Sequence, residues 1–295
     1  MIVTPKSITD SITLETIAEA AKTNMIFGIK LYPAGVTTNS SSGVRDIDKT
    51  VEKYDLIFNA MQTHDLVLNL HGETHGDPQV AEAEFLPILH ELERRFPTLR
   101  IVLEHVSTKA GVEAVRQCGP NVRGTITAHH LFTTTKDADE DVHSFCKPIP
   151  KTLEDRKALL NAVIDGSSKF FFGSDSAPHP IQAKNERAAG CFTQPYCVPL
   201  VIDALQHALK QGWIDEGAVK QEVVEGFLSD YGREFYNIKE SKGSKQPKAS
   251  GQATPRIRLE KRGEKIPDLL KGEQGSIEVV PFRRRQEIMS LSWVS

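Results

Sequence analysis

The chain has 295 residues, enough for one large domain or two ordinary ones. Hydrophobic residues make up 39% of the chain and charged residues 25%, which excludes a disordered or collagen-like protein. No run approaches the roughly 20 apolar residues of a membrane span. The net charge of -3 gives no electrostatic reason to expect nucleic acid or an anionic membrane as a partner.

The first residues and the cysteines indicate the cellular compartment of the protein. The first 15 residues contain no apolar core of a secretory signal. Four cysteines fall at irregular spacings without a CxxC pair, which favours reduced thiols in a cytoplasmic protein. We expect each of them to be a small core residue, namely Cys118, Cys146, Cys191 and Cys197.

Short apolar runs alternate with helix-like segments along the first 236 residues. The runs predict strands at Met25–Tyr32, Leu66–Leu70, Arg100–Glu104, Val122–Thr127 and Lys169–Phe172. The segments predict helices at Leu14–Ala21, Ile47–His64, Ala81–Phe96, Lys109–Gln117, Leu153–Ile164 and within 200–236. Strand followed by helix, repeated, indicates parallel β/α units. The strands are apolar at successive positions, so we expect them to be buried on both faces, as in a doubly wound sheet or a (β/α)8 barrel.

The strand count predicts an incomplete TIM-type barrel. Five strands are clear and Ile2–Val3 resembles the end of a sixth, whereas a closed barrel has eight. We therefore expect the first two or three β/α units to be absent. The predicted organisation is a partial barrel domain over 1–238, a Lys/Ser/Gly/Pro-rich linker over 239–255 and a C-terminal extension with β-like pieces over 256–295 that packs on the barrel.

Polar side chains cluster where the predicted strands end, at Lys30, His71, His105, His130 and Asp175. The carboxyl ends of parallel strands meet at one edge of the sheet, which is where such folds build their active sites. Imidazole and carboxylate are ligands that suit Zn²⁺. A single histidine at a strand end is more often a hydrogen-bonded structural residue. Three potential ligands at equivalent places favour a metal site formed by His71, His105 and Asp175.

Lys30 has two interpretations. A buried lysine that gives up its proton can react with CO₂ to form a carbamate, which is an anionic oxygen ligand able to bridge two metal ions. The alternative is an ordinary ion pair with Glu73 or Glu104, and composition alone favours the ion pair.

Seven motifs in order resemble those of dihydroorotases, specifically the homodimeric amidohydrolase-superfamily type of fungi and many bacteria. The resemblance runs from about Thr9 to Tyr236, with a weaker echo near the end of the chain. The motifs are FGIKLYPAGVTTNSSSG, LNLHGE, LEHVSTK, TITAHHL, KPIPKTLEDRKAL, FFGSDSAPH and AAGCF.

The resemblance implies a role for each matching residue. Lys30 matches the carboxylated lysine that bridges two zinc ions, and His71 and His105 match ligands of the second zinc. Asp175 matches a ligand of the first zinc that is also the general base and acid. His71 and His179 match substrate-binding histidines, Lys147 and Ala189 match positions whose main chains hold the pyrimidine ring, and Thr37 and Thr38 match a mobile lid loop.

The implied reaction is the reversible cyclisation of N-carbamoyl-L-aspartate to (S)-dihydroorotate in pyrimidine biosynthesis. A metal-bound hydroxide attacks the ring amide carbonyl, and Asp175 passes the proton to the leaving nitrogen. The partner is a small-molecule substrate, and the family resemblance suggests a homodimer.

One motif of the family is missing from the sequence. The first strand of these enzymes ends in HxHxR, whose histidines bind the first zinc and whose arginine pairs with the substrate carboxylate. No HxH occurs in this chain. We therefore expect weak or no activity of the chain alone. Two alternatives stay open: another cyclic amidase such as a hydantoinase or allantoinase, and a catalytically silent dihydroorotase-like subunit.

Overall fold

The computed structural model describes residues 7–9, 11–23, 25–38, 40–194, 196–238, 256–272 and 277–294. A parallel sheet forms the centre of the fold, and its five strands follow one another in chain order. Each strand lies inside a predicted run, so these predictions are confirmed. The strands are β1 (Gly28–Leu31), β2 (Val67–Leu70), β3 (Ile101–Leu103), β4 (Val122–Ile126) and β5 (Phe170–Phe172).

Helices follow the strands as predicted for β/α units. They are α1 (Leu14–Lys22), α2 (Thr50–Lys53), α3 (Asp55–Thr63), α4 (Ala81–Arg95), α5 (Lys109–Gln117), α6 (Thr135–Glu140), α7 (Leu153–Ile164), α8 (Ile181–Asn185), α9 (Cys197–Lys210), α10 (Gln221–Glu225) and α11 (Tyr231–Phe235), with a π-helical turn over Gly226–Asp230.

The prediction of a single helix over Ile47–His64 is wrong. The segment forms two helices, α2 and α3, because Tyr54 leaves helical backbone angles at φ -108° and ψ 22°. Its ring is buried, with its centroid 6.5 Å from that of Phe58. Core packing of this aromatic residue accompanies the break.

Threonine side chains begin several helices. Thr13 accepts a hydrogen bond from the backbone N–H of Thr16, and Thr108 accepts one from Gly111. Thr152 and Asp155 form a reciprocal capping box at the start of α7. Such caps satisfy amide donors that have no partner inside the helix, so they fix where each helix begins.

The strands are buried on both faces, as their continuous apolar runs predict. Every residue of β2, β3 and β4 is buried. Large side chains such as Phe58 and Phe85 fill the layer between the sheet and the helices without exposure to solvent. This pattern is typical of a parallel sheet covered by helices.

The outer edge of β1 is paired with a residue that precedes it in the chain. Ser7 forms a parallel bridge with Lys30, and the amide of Ile8 donates to the carbonyl of Lys30 at 2.7 Å. The predicted strand end at Ile2–Val3 lies outside the described residues, and so does the predicted linker over 239–255.

The C-terminal segment forms two small antiparallel pairs. β6 (Arg256–Lys265) pairs with β9 (Glu287–Val294), and β7 (Leu270–Lys271) pairs with β8 (Glu278–Val279). The amide of Phe282 donates to the carbonyl of Phe192 at 2.8 Å, and the Phe282 ring lies against Phe132. None of the helices in the described ranges is both long and apolar enough to cross a membrane.

A buried carboxylate fixes the loop that follows β3. Glu82, on α4, is only 1% exposed. Its two oxygens accept four hydrogen bonds of 2.5–2.9 Å from the amides and hydroxyls of Ser107 and Thr108. The loop thus held carries His105, so a residue of the helical layer determines the position of a candidate site residue.

The substitution Glu82→Ala is expected to lower the free energy of unfolding by about 3 kcal/mol or more, because it leaves buried donors without an acceptor. Denaturant titration of the purified protein measures the change. Glu84→Ala is the matched control on the same helix, since Glu84 is exposed and bonds the hydroxyl of Thr74. The control should cost less than about 1 kcal/mol. Equal effects of the two substitutions would contradict the role of Glu82.

Candidate active site

The parallel sheet brings the predicted site residues to one edge. Lys30 is the third residue of β1, and His71 follows β2 directly. His105 lies two residues beyond β3, and Asp175 lies three residues beyond β5. Because adjacent strands run in the same direction, these positions lie together although they are spread over 146 residues of sequence, from 30 to 175.

Two of these residues have left-handed backbone conformations. The φ angle is 43° at His105 and 39° at Asp175. Side chains other than glycine rarely adopt this conformation, and it costs free energy that the surrounding structure must offset. The amide of His105 donates to the hydroxyl of Thr125 at 2.7 Å, which holds the turn. Such strain is concentrated at functional sites in proteins.

A cavity of about 410 Å³ opens at this edge of the sheet. All nine residues singled out from the sequence line it, although the role of each stays a prediction. The nine residues are Lys30, Thr37, Thr38, His71, His105, Lys147, Asp175, His179 and Ala189. His130, also near a strand end, bonds Thr127 and the carbonyl of Pro148 instead, which is a structural arrangement.

Two buried histidines are in direct contact in the cavity. Nδ1 of His71 lies 3.1 Å from Nε2 of His105. Burial lowers the pKa of His71, although the neighbouring Glu73 opposes this. Burial lowers the pKa of His105 further, and His71 adds to that effect. Both rings are therefore neutral at physiological pH, which is the form that binds metal ions.

The donor atoms fit a divalent metal ion. Nδ1 of His105 is buried without a hydrogen-bond partner among the described residues. Two neutral imidazoles and the carboxylate of Asp175 are a donor set typical of zinc sites. Within the described part of the chain, these three residues do not form one compact group with all ligand atoms inside 4.8 Å. The set therefore includes a histidine pair and a separate carboxylate.

Lys30 forms an ion pair with Glu104. Of the two partners considered from the sequence, the structure selects Glu104, because Glu73 bonds Nε2 of His71 at 2.7 Å. The contact of Glu73 with His71 was missed by the sequence analysis. A carboxylate two residues beyond a strand-end histidine was the available signal, since such groups orient metal-binding imidazoles.

The carboxyl group of Asp175 has a higher pKa than that of an ordinary aspartate. Burial raises its pKa to about 7, and the cation of Lys30 counteracts part of this rise. A carboxyl group with a pKa near neutrality can both accept and donate a proton at physiological pH.

Three of the predicted substrate-binding residues, Lys147, His179 and Ala189, line the same cavity. Nε2 of His179 lies 3.0 Å from the carbonyl oxygen of Ala189. The amide of Ala189 donates to the hydroxyl of Thr38 at 2.8 Å. The hydroxyl of Ser40 accepts a hydrogen bond from the amide of Thr37 and donates one to the carbonyl of Thr37. These two bonds hold the two parts of the loop together. The predicted lid thus contacts a main-chain position that is predicted to bind the ring.

Comparison with curated proteins identifies the family. The chain is 46% identical over 232 residues to the probable dihydroorotase of Schizosaccharomyces pombe, covering 77% of this chain and 64% of that protein. It is 36% identical over 306 residues to the dihydroorotase of Saccharomyces cerevisiae, covering 97% of this chain and 78% of that protein. The chain belongs to the dihydroorotase family. No family model matches it.

Solved dihydroorotase structures agree with this assignment. The Saccharomyces cerevisiae dihydroorotase in complex with 5-fluoroorotic acid superposes with a TM-score of 0.83 at 35% identity, over 97% of this chain and 79% of that chain. The Campylobacter jejuni dihydroorotase gives a TM-score of 0.78 at 32% identity, over 98% of this chain and 77% of that chain. The fold is therefore of the TIM-barrel amidohydrolase type, and the family consists of metal-dependent cyclic amide hydrolases.

A hydantoinase resembles the chain in fold alone. The L-hydantoinase of Arthrobacter aurescens has a TM-score of 0.68 but only 17% identity, over 89% of this chain and 61% of that chain. The hydantoinase alternative therefore receives no support beyond the shared architecture, whereas the dihydroorotase assignment rests on sequence and structure together.

Titration of Asp175 predicts a pH dependence of stability in the metal-free protein. Its pKa is raised to about 7 in the folded chain from 3.8. As the pH rises, Asp175 therefore loses its proton in the unfolded chain before it does so in the folded chain. The stabilisation that the protonated group gives the folded state below about pH 4 is lost as the pH rises to 7. Because Asp175 is also exposed to solvent at the cavity, screening should keep the fall in the free energy of unfolding well below the roughly 1.4 kcal/mol per pH unit of one full proton.

Chelator-treated wild type and Asp175→Asn, unfolded in denaturant at several pH values, isolate that contribution. Lys30 and Glu104, which face Asp175, and the two histidines are present in both proteins. Folding lowers the pKa of His71 and of His105, so their contribution makes the folded protein more stable as the pH rises, opposite to that of Asp175. The difference between wild type and variant should decrease towards pH 7. A constant difference would contradict the raised pKa.

Proposed function

We propose that the chain interconverts (S)-dihydroorotate and N-carbamoyl-L-aspartate at the cavity between Lys30 and Ala189. The observation that carries this proposal is the convergence of nine residues from distant segments on one cavity of about 410 Å³. The volume falls within the range of small-molecule sites. Family membership makes a cyclic amide the substrate class. A homodimer and a cytoplasmic location stay predictions.

The groups that line the cavity beside the histidines support binding of a planar, hydrogen-bonding ring. The amide of Ala189 is a donor, and Lys147 and His179 line the same cavity. The Saccharomyces cerevisiae relative was solved with 5-fluoroorotic acid, a pyrimidine carboxylic acid. A ring with amide and carbonyl groups would match these donors and acceptors. Binding would require the amide of Ala189 to exchange its bond with Thr38 for one with the ligand.

His71, His105 and Asp175 would hold zinc, and a carbamate on Lys30 would complete the anionic ligands. A bound divalent ion lowers the pKa of a water molecule and polarises the amide carbonyl of the substrate. Forming the carbamate requires Lys30 to separate from Glu104. Glu73 keeps the ring of His71 in one orientation through its 2.7 Å hydrogen bond.

Asp175 would move the proton. Its carboxylate takes a proton from the attacking water and returns it to the ring nitrogen that leaves the carbonyl carbon. The raised pKa, about 7 without metal, places both forms within reach at neutral pH.

Retention of four site residues supports an enzyme over a silent subunit. A silent homologue has no chemical requirement for Lys30, His71, His105 and Asp175 together. The sequence contains no HxH, so weak turnover of the chain alone stays a prediction. Metal content and melting temperature therefore test the site independently of the rate of hydrolysis.

With Zn²⁺ and bicarbonate supplied, any turnover by the chain, which we expect to be weak, should favour dihydroorotate over hydantoin. Asp175→Asn should lower the kcat/KM of that turnover by about 10²–10⁴, because it removes a general acid and base. Loss of dihydroorotate absorbance measures the rate. Hydantoin as the better substrate, or an unchanged rate in the variant, would refute the proposal.

His71→Ala should lower the zinc content and reduce the effect of zinc on the melting temperature, because one ligand of the proposed active-site metal is removed. Metal analysis after dialysis gives the stoichiometry. His64→Ala is the matched control, since His64 is exposed at the end of α3 and lies outside the cavity. Zinc retention equal to wild type in His71→Ala would exclude His71 as a ligand. Zinc binding with no turnover and no stabilisation by 5-fluoroorotic acid would favour the silent subunit.

A further inference from the structure

A second group of metal-binding side chains lies at the other end of the sheet. His90 and Glu93 are three residues apart on α4, so they share one face of the helix. Cys118 ends α5 and precedes the turn into β4. One ligand atom from each of the three residues lies within 4.8 Å of the others. The candidate active site is at the carboxyl ends of the strands, whereas this group is at their amino ends.

We propose that His90, Glu93 and Cys118 form a binding site for a thiophilic divalent cation such as Zn²⁺, which ties α4 to the connection between α5 and β4. We refer to these three residues as the clamp site. The proposal is independent of the dihydroorotase reaction.

The distance between two of the donor atoms matches zinc geometry. Sγ of Cys118 lies 3.6 Å from Nδ1 of His90. Zinc bonds of about 2.3 Å to sulfur and 2.0–2.1 Å to nitrogen, at a tetrahedral angle, place those two ligand atoms about 3.5 Å apart. The contact is a thiol–imidazole hydrogen bond in the metal-free protein, and its length is also that expected between two ligands of one zinc ion.

The third ligand is also held in place. Oε1 of Glu93 accepts a hydrogen bond of 2.5 Å from the amide of Gly119. Nζ of Lys169 bonds the carbonyls of Cys118 and Gly119 at 2.6 Å and that of Val122 at 3.0 Å. These contacts fix the carboxylate and the backbone of the turn, as outer contacts do around metal ligands.

The charges fit a divalent ion with a soft ligand. A Cys118 thiolate and the Glu93 carboxylate together carry two negative charges, and neutral His90 adds none, so a divalent cation makes the group neutral. Lys169 is the nearby cation and favours the thiolate. Burial and Glu93 raise the pKa of Cys118 to about 12 without metal, so the thiol stays protonated until a cation replaces its proton. The thiolate excludes Mg²⁺ and Ca²⁺ as preferred occupants.

His90 and Glu93 are half-buried, whereas Cys118 is only 5% exposed. The open side leaves a fourth position for water. A rival group, His129, His130 and Cys146, is buried throughout. There both ring nitrogens of His130 are engaged, by Thr127 and by Pro148. Metal binding at the rival group would break these bonds, so the clamp site is the better candidate.

Cobalt distinguishes the clamp site from the candidate active site, whose proposed ligands include no thiolate. Chelator-treated full-length protein titrated with Co²⁺ should develop a thiolate-to-cobalt charge-transfer band in the near ultraviolet. Cys118→Ser should abolish the band. Cys197→Ser is the matched control, because Cys197 is buried and bonds only the Thr193 hydroxyl among the described residues. The control should keep the band.

Two partly exposed ligands test the site without disturbing the core. His90→Ala and Glu93→Gln should each weaken Co²⁺ binding, followed by the band, by at least about tenfold. Zn²⁺ should displace Co²⁺ and remove the band in wild type. The proposal is overturned by absence of the band in wild type, by a band that persists in Cys118→Ser, or by loss of the band in Cys146→Ser with its retention in Cys118→Ser. Unchanged affinity in both His90→Ala and Glu93→Gln would also overturn it.

Discussion

The parallel pairing of five strands is the constraint on which the site depends. In-register pairing places Lys30 of β1 beside Asn69 of β2, one strand position before Leu70 and two before His71. The same direction of β3 and β5 brings His105 and Asp175 to that edge. Without this alignment the four groups are separated by long stretches of chain, and none has a local partner for the predicted chemistry. The apolar strands therefore stabilise the fold and also determine the composition of the site.

Burial at that edge then determines protonation. Removing water from the strand ends lowers the pKa of His71 and His105 and raises the pKa of Asp175. All three shifts favour the neutral form of these side chains, which lowers the cost of removing them from water when no metal ion is bound. A divalent cation reverses this preference for Asp175, because it stabilises the carboxylate while requiring the histidines to stay neutral. Burial thus keeps the imidazoles of His71 and His105 in the neutral form that binds a metal ion.

The sequence predicted those parts of the structure that depend on local patterns. Five apolar runs became five strands, because burial of a strand is recorded in a few consecutive residues. The threonine caps of α1, α5 and α7 were not part of the sequence predictions. The family resemblance supplied the nine lining residues. The sequence predicted that the strand ends converge, but it did not predict which side chains of distant segments contact each other. Helical periodicity continues through Tyr54, yet the helix is interrupted there, where the Tyr54 ring packs in the core. Composition could not decide between Glu73 and Glu104 as the partner of Lys30, because that choice depends on how β2 and β3 lie beside β1.

The clamp site shows the same limit at the amino ends of the strands. His90 and Glu93 have ordinary helical spacing, and Cys118 reads as a small core residue from sequence, so nothing local indicates that they meet. They meet because α4 and α5 flank β3, which fixes the turn into β4 against the end of α4. Glu82 at the start of α4 holds the loop after β3, while Glu93 near its end holds the turn before β4. One helix therefore contacts both ends of the β3–α5–β4 unit, through Glu82 at its start and Glu93 near its end.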